Sequence, residues 1–518
     1  MNGPIPDPPD RSFWEASPTL RELLERTLSA GEFAWAEPRL REMGDLASRV
    51  VAPLAAVADR ESPRLVTRTP AGEPVNRVEY HPSYREMERI AYGSGMVAMK
   101  YEPGALAGHA PSIHFVTFAL GYLFAMAEIG LYCPLCMTDG VARIITRHGT
   151  AGQVERVVPR MGARNAADRW TGAMFVTERA GGSDVGANET IARRGHDGRW
   201  RLTGRKWFCS NVDAQAVLVT ARPEGAPAGT KGLRTFLLLP RESTGVEIER
   251  LKDKLGVRSM PTGEVRLSET EVEEVGGFGP MLEMMNLSRL YNSVAAVAVI
   301  GRALHEARHY AGLRRAFGRP VIEHPLAAET LRDLEAEHLA AQLLTFACVE
   351  MLDRADGGDA EAARAHRTLV PIVKAVTGKL AVPCVSEAME LIGGNGYIEE
   401  SPLPRLLRDA QVLPIWEGTT NILVLDALRV ARKEAGHELL LARIEKQFPD
   451  EANAIGAAFA GLDERAARGW VDRLARAFEL TLLAESGHTD ALDRLQRRPL
   501  GLIPGAGMPE TATGGRRR

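Results

Sequence analysis

One acidic residue stands in an otherwise uncharged run in the segment Ile415-Trp416-Glu417-Gly418-Thr419-Thr420-Asn421. Apolar residues at helical spacing follow it, from Ile422 to Val430. Glu417 has two interpretations. It could begin a helix, where negative charge is favourable and Thr419 or Thr420 would be the N-cap. It could instead be a base at the rim of an apolar pocket. The seven residues alone favour the helix start, so the rest of the chain must decide.

Composition sets the broad class of the protein. The chain has 518 residues, 45% hydrophobic and 25% charged, as in soluble globular proteins. This length predicts three or four domains. A net charge of -3 gives no gross attraction to nucleic acid or to anionic membranes. The N-terminus lacks the basic start and apolar run of a signal peptide, and five scattered cysteines indicate a reducing, cytoplasmic setting.

The hydrophobic pattern divides the chain into four parts of an α+β fold. Residues 1–164 show mainly helical spacing and predict an N-terminal helical domain. Residues 165–275 predict a compact antiparallel β barrel or sandwich, and residues 276–432 predict a helical bundle with a turn at 355–359. Residues 433–518 predict a C-terminal helical extension and a tail that ends in three arginines.

The β prediction rests on six short runs rich in β-branched and apolar residues, separated by turn residues such as His196-Asp197-Gly198. These runs are Trp170 to Val176, Arg199 to Thr203, Ala216 to Thr220, Leu233 to Leu239, Val246 to Leu251 and Glu264 to Leu267. No GxGxxG follows any of them, so the sequence does not predict a Rossmann dinucleotide site.

A CxxC pair, Cys133 and Cys136, lies in the N-terminal helical domain. With no second pair and no histidine at a suitable spacing, it does not predict a zinc site. Two cysteines buried on a helix are favoured over redox chemistry.

Two segments of the β domain have residues suited to a planar or phosphorylated ligand. The loop 177–184 combines Thr177 and Ser183 hydroxyls with backbone amides exposed by Gly182. In the segment 206–211, alternation along a strand would place Phe208 and Ser210 on one face. A plain turn and ordinary core packing are the alternative interpretations.

Two further segments lie in the predicted bundle. Arg314 and Phe317 belong to a basic and aromatic patch at a helix end, which is either solvated or a phosphate clamp. Gly393 and Gly394 form a glycine cluster between helices, which is either a tight turn or a place where backbone approaches a ligand.

Taken together and in this order, these segments resemble the acyl-CoA dehydrogenase flavoprotein superfamily over about residues 85–432. The chain is most similar to the AidB-like branch. That closer resemblance rests on segments 77–82, 131–138 and 249–256 and on the extra C-terminal segment.

The resemblance implies a flavoenzyme that holds FAD between a β barrel and a helical bundle. It implies FAD contacts from Thr177, Gly182, Ser183, Phe208, Ser210 and Thr419. It also implies that Arg314, Phe317, Gly393 and Gly394 hold the FAD of a neighbouring subunit, and therefore a homotetramer or homodimer.

The resemblance further implies that Glu417 is the catalytic base for an acyl-CoA or related thioester, with an electron-transfer partner for the flavin. The second base position known in the family falls near Ser288, which is not acidic. Arg289 and Trp416 match substrate-contacting positions, although Asn286 replaces a frequent Asp and Trp416 replaces a frequent Tyr. These two departures concern the substrate more than the flavin.

Two alternatives remain open at the level of sequence. One is a flavoprotein that binds DNA through its C-terminal part and has little dehydrogenase turnover. Residues 431–518 hold 14 Lys and Arg residues against 13 Asp and Glu residues. This near balance lacks the strong excess of positive charge that is typical of a DNA-binding surface. The other is oxygen-dependent oxidation of a non-CoA substrate on the same fold.

Overall fold

The computed structural model describes residues 10–102 and 112–497. Its N-terminal part is helical, as predicted. The helices are α1 (Pro18–Thr27), α2 (Ala30–Leu46), α3 (Ala52–Arg60), α4 (Pro82–Gly93), α5 (Ile113–Ala125), α6 (Tyr132–His148) and α7 (Ala151–Met161). The N-terminus of α2 is fixed by a capping box between Ser29 and Glu32. The same arrangement of Thr150 and Gln153 begins α7.

A hairpin interrupts this helical part within the turn-rich segment 59–80. Its antiparallel strands are β1 (Arg64–Arg68) and β2 (Pro74–Glu79). Asn76 exchanges hydrogen bonds with the backbone of Ile248, so the hairpin contacts the β unit that follows later in the chain.

The middle of the chain forms a seven-stranded mixed sheet. Its strands are β3 (Gly172–Phe175), β4 (Ile191–Arg194), β5 (Trp200–Ser210), β6 (Ala216–Pro223), β7 (Arg234–Leu238), β8 (Val246–Leu251) and β9 (Thr262–Gly277). The order is β3-β6-β4-β5-β9-β7, with β8 on β9 and a further pairing of β6 with β7. Each of the six predicted runs overlaps one of these strands.

Two features of the sheet correct the sequence prediction. β6 pairs in parallel with both β3 and β4, so the unit is not purely antiparallel. The segment 206–211, interpreted as part of a separate strand, mostly belongs to β5. The long β5 and β9 pair with register shifts, and such irregularities bend a strand. A pattern of short apolar runs does not reveal a strand that continues through such a shift.

The bundle is built around three long helices and several shorter elements. These are α8 (Gly279–Leu313), the small hairpin β10 (Arg315–Ala316) and β11 (Arg319–Pro320), α9 (Pro325–Asp356), α10 (Ala360–Ile392), α11 (Gly394–Tyr397), α12 (Leu403–Ala410) and α13 (Thr420–Glu434). The predicted turn at 355–359 is confirmed. The Asp359 side chain accepts the backbone N–H groups of Glu361 and Ala362 and so caps α10. α10 packs against α8, α9, α12 and α13.

The C-terminal part is helical through α14 (Gly436–Glu445), α15 (Pro449–Ala460), α16 (Ala467–Ser486) and α17 (Thr489–Gln496). A buried ion pair joins it to the bundle, since Arg476 on α16 donates to Glu337 on α9 at 2.8 Å. The predicted tail with its terminal arginines lies outside the described residues.

Among the described residues, α10 is the one helix long and apolar enough to cross a membrane. However, 78% of its most apolar window is buried inside the protein. A core helix of a soluble protein has the same property, and the contacts of α10 are those of a core helix.

The close contact between α10 and the chain just before Trp416 fixes the position of the segment 415–421. A Cβ atom added at Gly378 would lie 2.9 Å from the carbonyl oxygen of Leu413 and 3.1 Å from its carbonyl carbon. Only glycine therefore permits this approach of backbone to helix.

We expect Gly378→Ala to push Leu413 away from α10 and to lower the free energy of unfolding by about 1–3 kcal/mol, the usual cost of overpacking. Urea denaturation followed by circular dichroism measures the change. Gly469→Ala on α16 is the matched control, because an added methyl group meets open space there. The control should gain up to about 1 kcal/mol from helix propensity. Equal effects of the two substitutions would contradict this account.

Candidate functional site

Glu417 lies in a strained turn between α12 and α13. Its φ is 58°, in the left-handed region that L-residues rarely adopt, and Gly418 follows with a φ of 108°. Such strain persists only where surrounding contacts impose it, and it concentrates at functional positions. Thr419 is the N-cap of α13, but its side chain makes no capping hydrogen bond. Glu417 therefore precedes the helix without belonging to its first turn.

Two buried cations hold this turn through consecutive carbonyl groups. Arg289 on α8 donates from Nε to the Glu417 carbonyl at 3.1 Å. Lys374 on α10 donates from Nζ to the Gly418 carbonyl at 2.7 Å. Arg289 is held in turn by Asp426 on α13, at 2.6 Å, and by Asn286, at 3.0 Å. The turn is thus tied to three helices.

These surroundings shift the pKa of each ionisable group. Burial raises the pKa of Glu417 above its ordinary value, while the Ser288 hydroxyl, Arg289 and Lys374 oppose that rise. Burial lowers the pKa of Lys374 to about 7, against the attraction of Glu417. For Asp426, burial raises the pKa, but Arg367 and Arg289 outweigh burial and lower it to about 2. The site therefore combines a proton acceptor of raised basicity with cations that limit the rise.

The CxxC pair lies at this site. Cys133 and Cys136 are on the first turns of α6, half-buried and buried respectively. The Ser288 hydroxyl lowers the pKa of both the Cys136 thiol and the Glu417 carboxyl. Burial, together with the Glu417 carboxylate, raises the pKa of Cys133 to about 12. Protonated thiols are inert, which agrees with the prediction of two cysteines on a helix without redox chemistry. Their proximity to Glu417 was not predicted.

On the sheet, Phe208 and Ser210 share one face of β5, as predicted. Phe208 is 57% exposed, whereas Cys209 between them is fully buried on the opposite face. The Lys252 ammonium lies 4.6 Å from the centre of the Phe208 ring. The Ser210 hydroxyl lies 3.4 Å from that of Thr262 on β9. An aromatic face and a hydroxyl are therefore presented side by side.

The loop after β3 carries Thr177, Gly182 and Ser183. The Thr177 carbonyl accepts the backbone N–H of Trp207 at 2.9 Å, which attaches the loop to β5. Gly182 and Ser183 are exposed. A Cβ atom at Gly182 would lie 2.9 Å from the Thr177 hydroxyl oxygen, so glycine lets the loop fold over that side chain.

A buried ion pair that sequence reasoning missed supports this loop. Lys206 on β5 is fully buried and donates to Glu178 at 2.6 Å, and Glu178 also accepts the backbone N–H groups of Glu189 and Thr190. Strict alternation would place Lys206 on the face of Phe208 and Ser210, so the sequence contains no signal for this pair. The register shift between Lys206 and Cys209 lets both side chains enter the core.

The remaining predicted residues lie in two places. Trp416 directly precedes Glu417 in the chain, and Thr419 follows it after Gly418. The other neighbourhood contains Arg314, which ends α8, the exposed Phe317, and Gly393 and Gly394. The Asn395 side-chain amide donates to the Tyr310 hydroxyl at 2.9 Å, so the glycine cluster and the end of α8 are neighbours. Only tertiary structure brings these two segments together.

The residues around Glu417 and on β5 have the properties that a planar heteroaromatic cofactor needs. The indole N–H of Trp416 is buried and has no hydrogen-bond partner among the described residues. Buried donors are normally paired, so this N–H suits a polar ligand atom. Phe208 offers an aromatic face, and Ser210 and Thr419 offer hydroxyl groups. These features fit an isoalloxazine-like ring system.

A cavity of about 1290 Å³ lies elsewhere, between α8, α9 and α17. Its lining includes Tyr122, His305, Arg308, His338 and Arg494, and Glu417 is not among the lining residues. Cavity volume alone therefore does not locate the groups with shifted pKa values and strained backbone.

Three family models match successive parts of the chain. Residues 5–165 match the adaptive response protein AidB N-terminal domain. Residues 173–270 match the acyl-CoA dehydrogenase middle domain, and residues 276–431 match the acyl-CoA dehydrogenase C-terminal domain.

Individual proteins agree with these matches. The chain is 34% identical to acyl-CoA dehydrogenase family member 11 of Caenorhabditis elegans over 435 residues, which is 80% of this chain and 70% of that protein. It is 33% identical to the putative acyl-CoA dehydrogenase AidB of Escherichia coli (strain K12) over 401 residues, 74% of this chain and 72% of that protein. The crystal structure of Caenorhabditis elegans ACDH-11 in complex with C11-CoA has a TM-score of 0.88 and 29% identity, covering 96% of this chain and 93% of that one.

We expect Asp426→Asn to lower the free energy of unfolding by about 3 kcal/mol at pH 7, because Arg289 would lose its buried counter-charge. Asp426 titrates near 2 in the folded protein instead of 3.8. Its stabilising contribution is therefore complete above about pH 4 and is lost as the pH falls towards 2. The difference between the wild type and the variant should shrink over that window, as urea denaturation at several pH values would show.

Glu25→Gln is the control for this substitution. Glu25 pairs with Arg21 at 2.8 Å, but both side chains are about half exposed. Its loss should change the free energy of unfolding by less than about 1 kcal/mol. An Asp426→Asn variant as stable as this control would show that the ion pair does not hold the site.

Proposed function

The chain belongs to the acyl-CoA dehydrogenase family, and we propose that it is an FAD-dependent oxidoreductase that introduces a double bond between the α and β carbons of an acyl-CoA thioester. The family acts on CH–CH donors and uses a flavin. The observation that carries the proposal is Glu417, a carboxyl group of raised pKa in a strained turn held by Arg289 and Lys374.

Glu417 removes the α-proton. A thioester α-proton is weakly acidic, so its base must be shielded from water and have a raised pKa. Burial provides this for Glu417, while Ser288, Arg289 and Lys374 keep the ionised form accessible. The second base position of the family falls near Ser288, whose hydroxyl cannot itself accept the proton. In this chain that hydroxyl lowers the pKa of the Glu417 carboxyl instead.

The flavin, when bound, supplies the acceptor for the β-hydride, which no side chain can provide. Thr177, Gly182, Ser183, Phe208, Ser210 and Thr419 would hold it. Trp416 directly precedes Glu417 and would contact the substrate, and the buried Arg289 acts through the turn that carries the base. The complex of the Caenorhabditis elegans relative with C11-CoA supports an acyl-CoA substrate.

Turnover requires a separate electron acceptor, because hydride removal leaves the flavin reduced. We propose an electron-transfer partner protein for this step. All five cysteines are free, which supports the cytoplasmic location that we propose.

DNA binding through the C-terminal part gains no support from the described residues. Arginines of this part form salt bridges within the protein: Arg443 with Glu485, Arg473 with Glu451, Arg476 with Glu337 and Arg494 with Glu329. We therefore do not propose this alternative.

The test is anaerobic mixing of the purified protein with acyl-CoA thioesters of graded chain length, following the visible absorbance of the oxidised flavin. We expect bleaching by one chain-length class. We expect Glu417→Gln to keep bound flavin and to slow bleaching by at least about 100-fold, because general bases contribute 10²–10⁴. The exposed Glu438→Gln is the control and should bleach like the wild type. Bleaching by Glu417→Gln at the wild-type rate would remove Glu417 from the mechanism. The absence of bleaching by every thioester would overturn the dehydrogenase proposal.

We also propose that a second copy of the chain covers Phe317. This side chain is 96% exposed, and the exposed Leu313 and Leu326 lie at the two ends of the same connection, on the last residue of α8 and in the first turn of α9. Large apolar side chains grouped on a surface mark an interface. We expect the wild type to sediment as a homodimer or homotetramer. Phe317→Ser should lower both the association and the amount of flavin retained, whereas a change at the isolated, exposed Val50 should alter neither. A monomeric wild type that retains flavin would contradict this prediction.

A further inference from the structure

Lys374 is a buried ionisable group for which the mechanism above gives only a general electrostatic role. It lies on α10 with no exposed surface, and its ammonium donates to the Gly418 carbonyl at 2.7 Å. An ammonium group has three donors and is costly to remove from water unless a negative charge compensates it. A neutral donor would satisfy one carbonyl at lower cost, so the charge itself needs an explanation.

Two other buried lysines show how this protein normally compensates such a charge. Lys100 donates to Asp139 and Lys206 donates to Glu178, each at 2.6 Å, so each forms a closed ion pair. Lys374 forms no ion pair within 4.0 Å in the part of the chain that the structure describes. Its nearest polar contact is backbone, and the acidic group that attracts it is Glu417.

We propose that Lys374 is a positioning residue for the base. It holds the Gly418 carbonyl and therefore the left-handed turn that presents Glu417, and its ammonium is the counter-charge that keeps the Glu417 carboxylate ionised before proton transfer. This inference rests on the proposed function of Glu417 and assigns the second group on which that function depends.

The other groups around the pair do not replace this charge. On α8, Arg289 faces Glu417 but is already paired with Asp426 of α13, which Arg367 of α10 also contacts. On α6, burial raises the pKa of the Cys133 and Cys136 thiols, so both are neutral. Lys254, between β8 and β9, interacts with Cys133. Among the residues that the structure describes, Lys374 is thus the cation beside Glu417 that forms no ion pair within 4.0 Å.

The sign of the effect follows from the charge. A protonated lysine stabilises a neighbouring carboxylate and lowers its pKa, so removal of the lysine charge raises the pKa of Glu417. An opposite charge within about 4–6 Å of a carboxyl group shifts its pKa by roughly 1–3 units. The pH above which Glu417 is ionised should therefore move upwards in Lys374→Met and in Lys374→Gln.

The experiment is an infrared pH titration of the purified, flavin-containing protein, without substrate. The protonated carboxyl band of Glu417 is assigned by subtracting the spectrum of Glu417→Gln. We expect the pH midpoint of the Glu417 carboxyl titration to rise by about one pH unit or more in Lys374→Met and Lys374→Gln. The acid limb of the pH profile of the thioester bleaching rate should move upwards by the same number of pH units. At a fixed pH on that limb, the bleaching rate should therefore fall about tenfold. Lys379→Gln, an exposed position on the same helix, should leave both unchanged.

A purely structural role gives a different result. Loss of the turn without loss of a counter-charge would lower the bleaching rate equally at all pH values and would leave the infrared midpoint unmoved. A wild-type midpoint in either folded variant overturns the proposal. Lys374→Gln, which retains a donor, decides the matter if Lys374→Met does not fold. The infrared midpoint does not depend on turnover, so a shift without thioester bleaching in the wild type would contradict the proposed function and leave the role of Lys374 intact.

Discussion

The structure of the site depends on one electrostatic constraint, a carboxyl group withdrawn from water beside two backbone carbonyls that are each held by a buried cation. Burial raises the pKa of Glu417. Arg289 and Lys374 oppose this, but each cation must itself be compensated. Arg289 is paired with Asp426, and Lys374 interacts with Glu417. Because these groups come from α8, α10 and α13, the base is correctly placed only when all three helices are packed.

The same protein contains buried ion pairs of another kind. Lys206 with Glu178 attaches the loop after β3 to the sheet, and Arg476 with Glu337 attaches α16 to the bundle. In these pairs a cation donates directly to the carboxylate. Each pair joins two parts of the fold, which indicates a structural role. Glu417 differs because no cation among the described residues forms a salt bridge with its carboxylate, and the supporting donors act on the neighbouring carbonyls. A carboxylate that is stabilised without a direct ion pair remains able to accept a proton.

The two sides of the proposed flavin site are built by different physical means. On the sheet, the alternation of side chains along β5 presents Phe208 and Ser210 together while Cys209 enters the core. On the helical side, close backbone approaches place the chain, as at Gly378 against Leu413 and at Gly172 against Met137 of α6. The CxxC pair illustrates the difference. Its residues were interpreted as plain buried cysteines, but α6 carries them to Ser288 and the base.

The sequence by itself determined the order of helical and β units, most strand positions and the turn at 355–359. Those features depend on periodicity and on residues near one another in the chain, which a single sequence displays. Glu417 was indicated only by the resemblance to the family, since its own segment favours a helix start. Tertiary structure alone decided the parallel pairings of β6, the merging of 206–211 into β5, the pairing of Lys206 with Glu178, and the convergence of Ser288, Arg289, Lys374 and Asp426 on one turn. Each of these joins groups that lie tens or more than a hundred residues apart, or depends on a register shift. Burial raises the pKa of Glu417 and lowers the pKa of Lys374. That burial results from the packing of the helices, and no local sequence pattern encodes it.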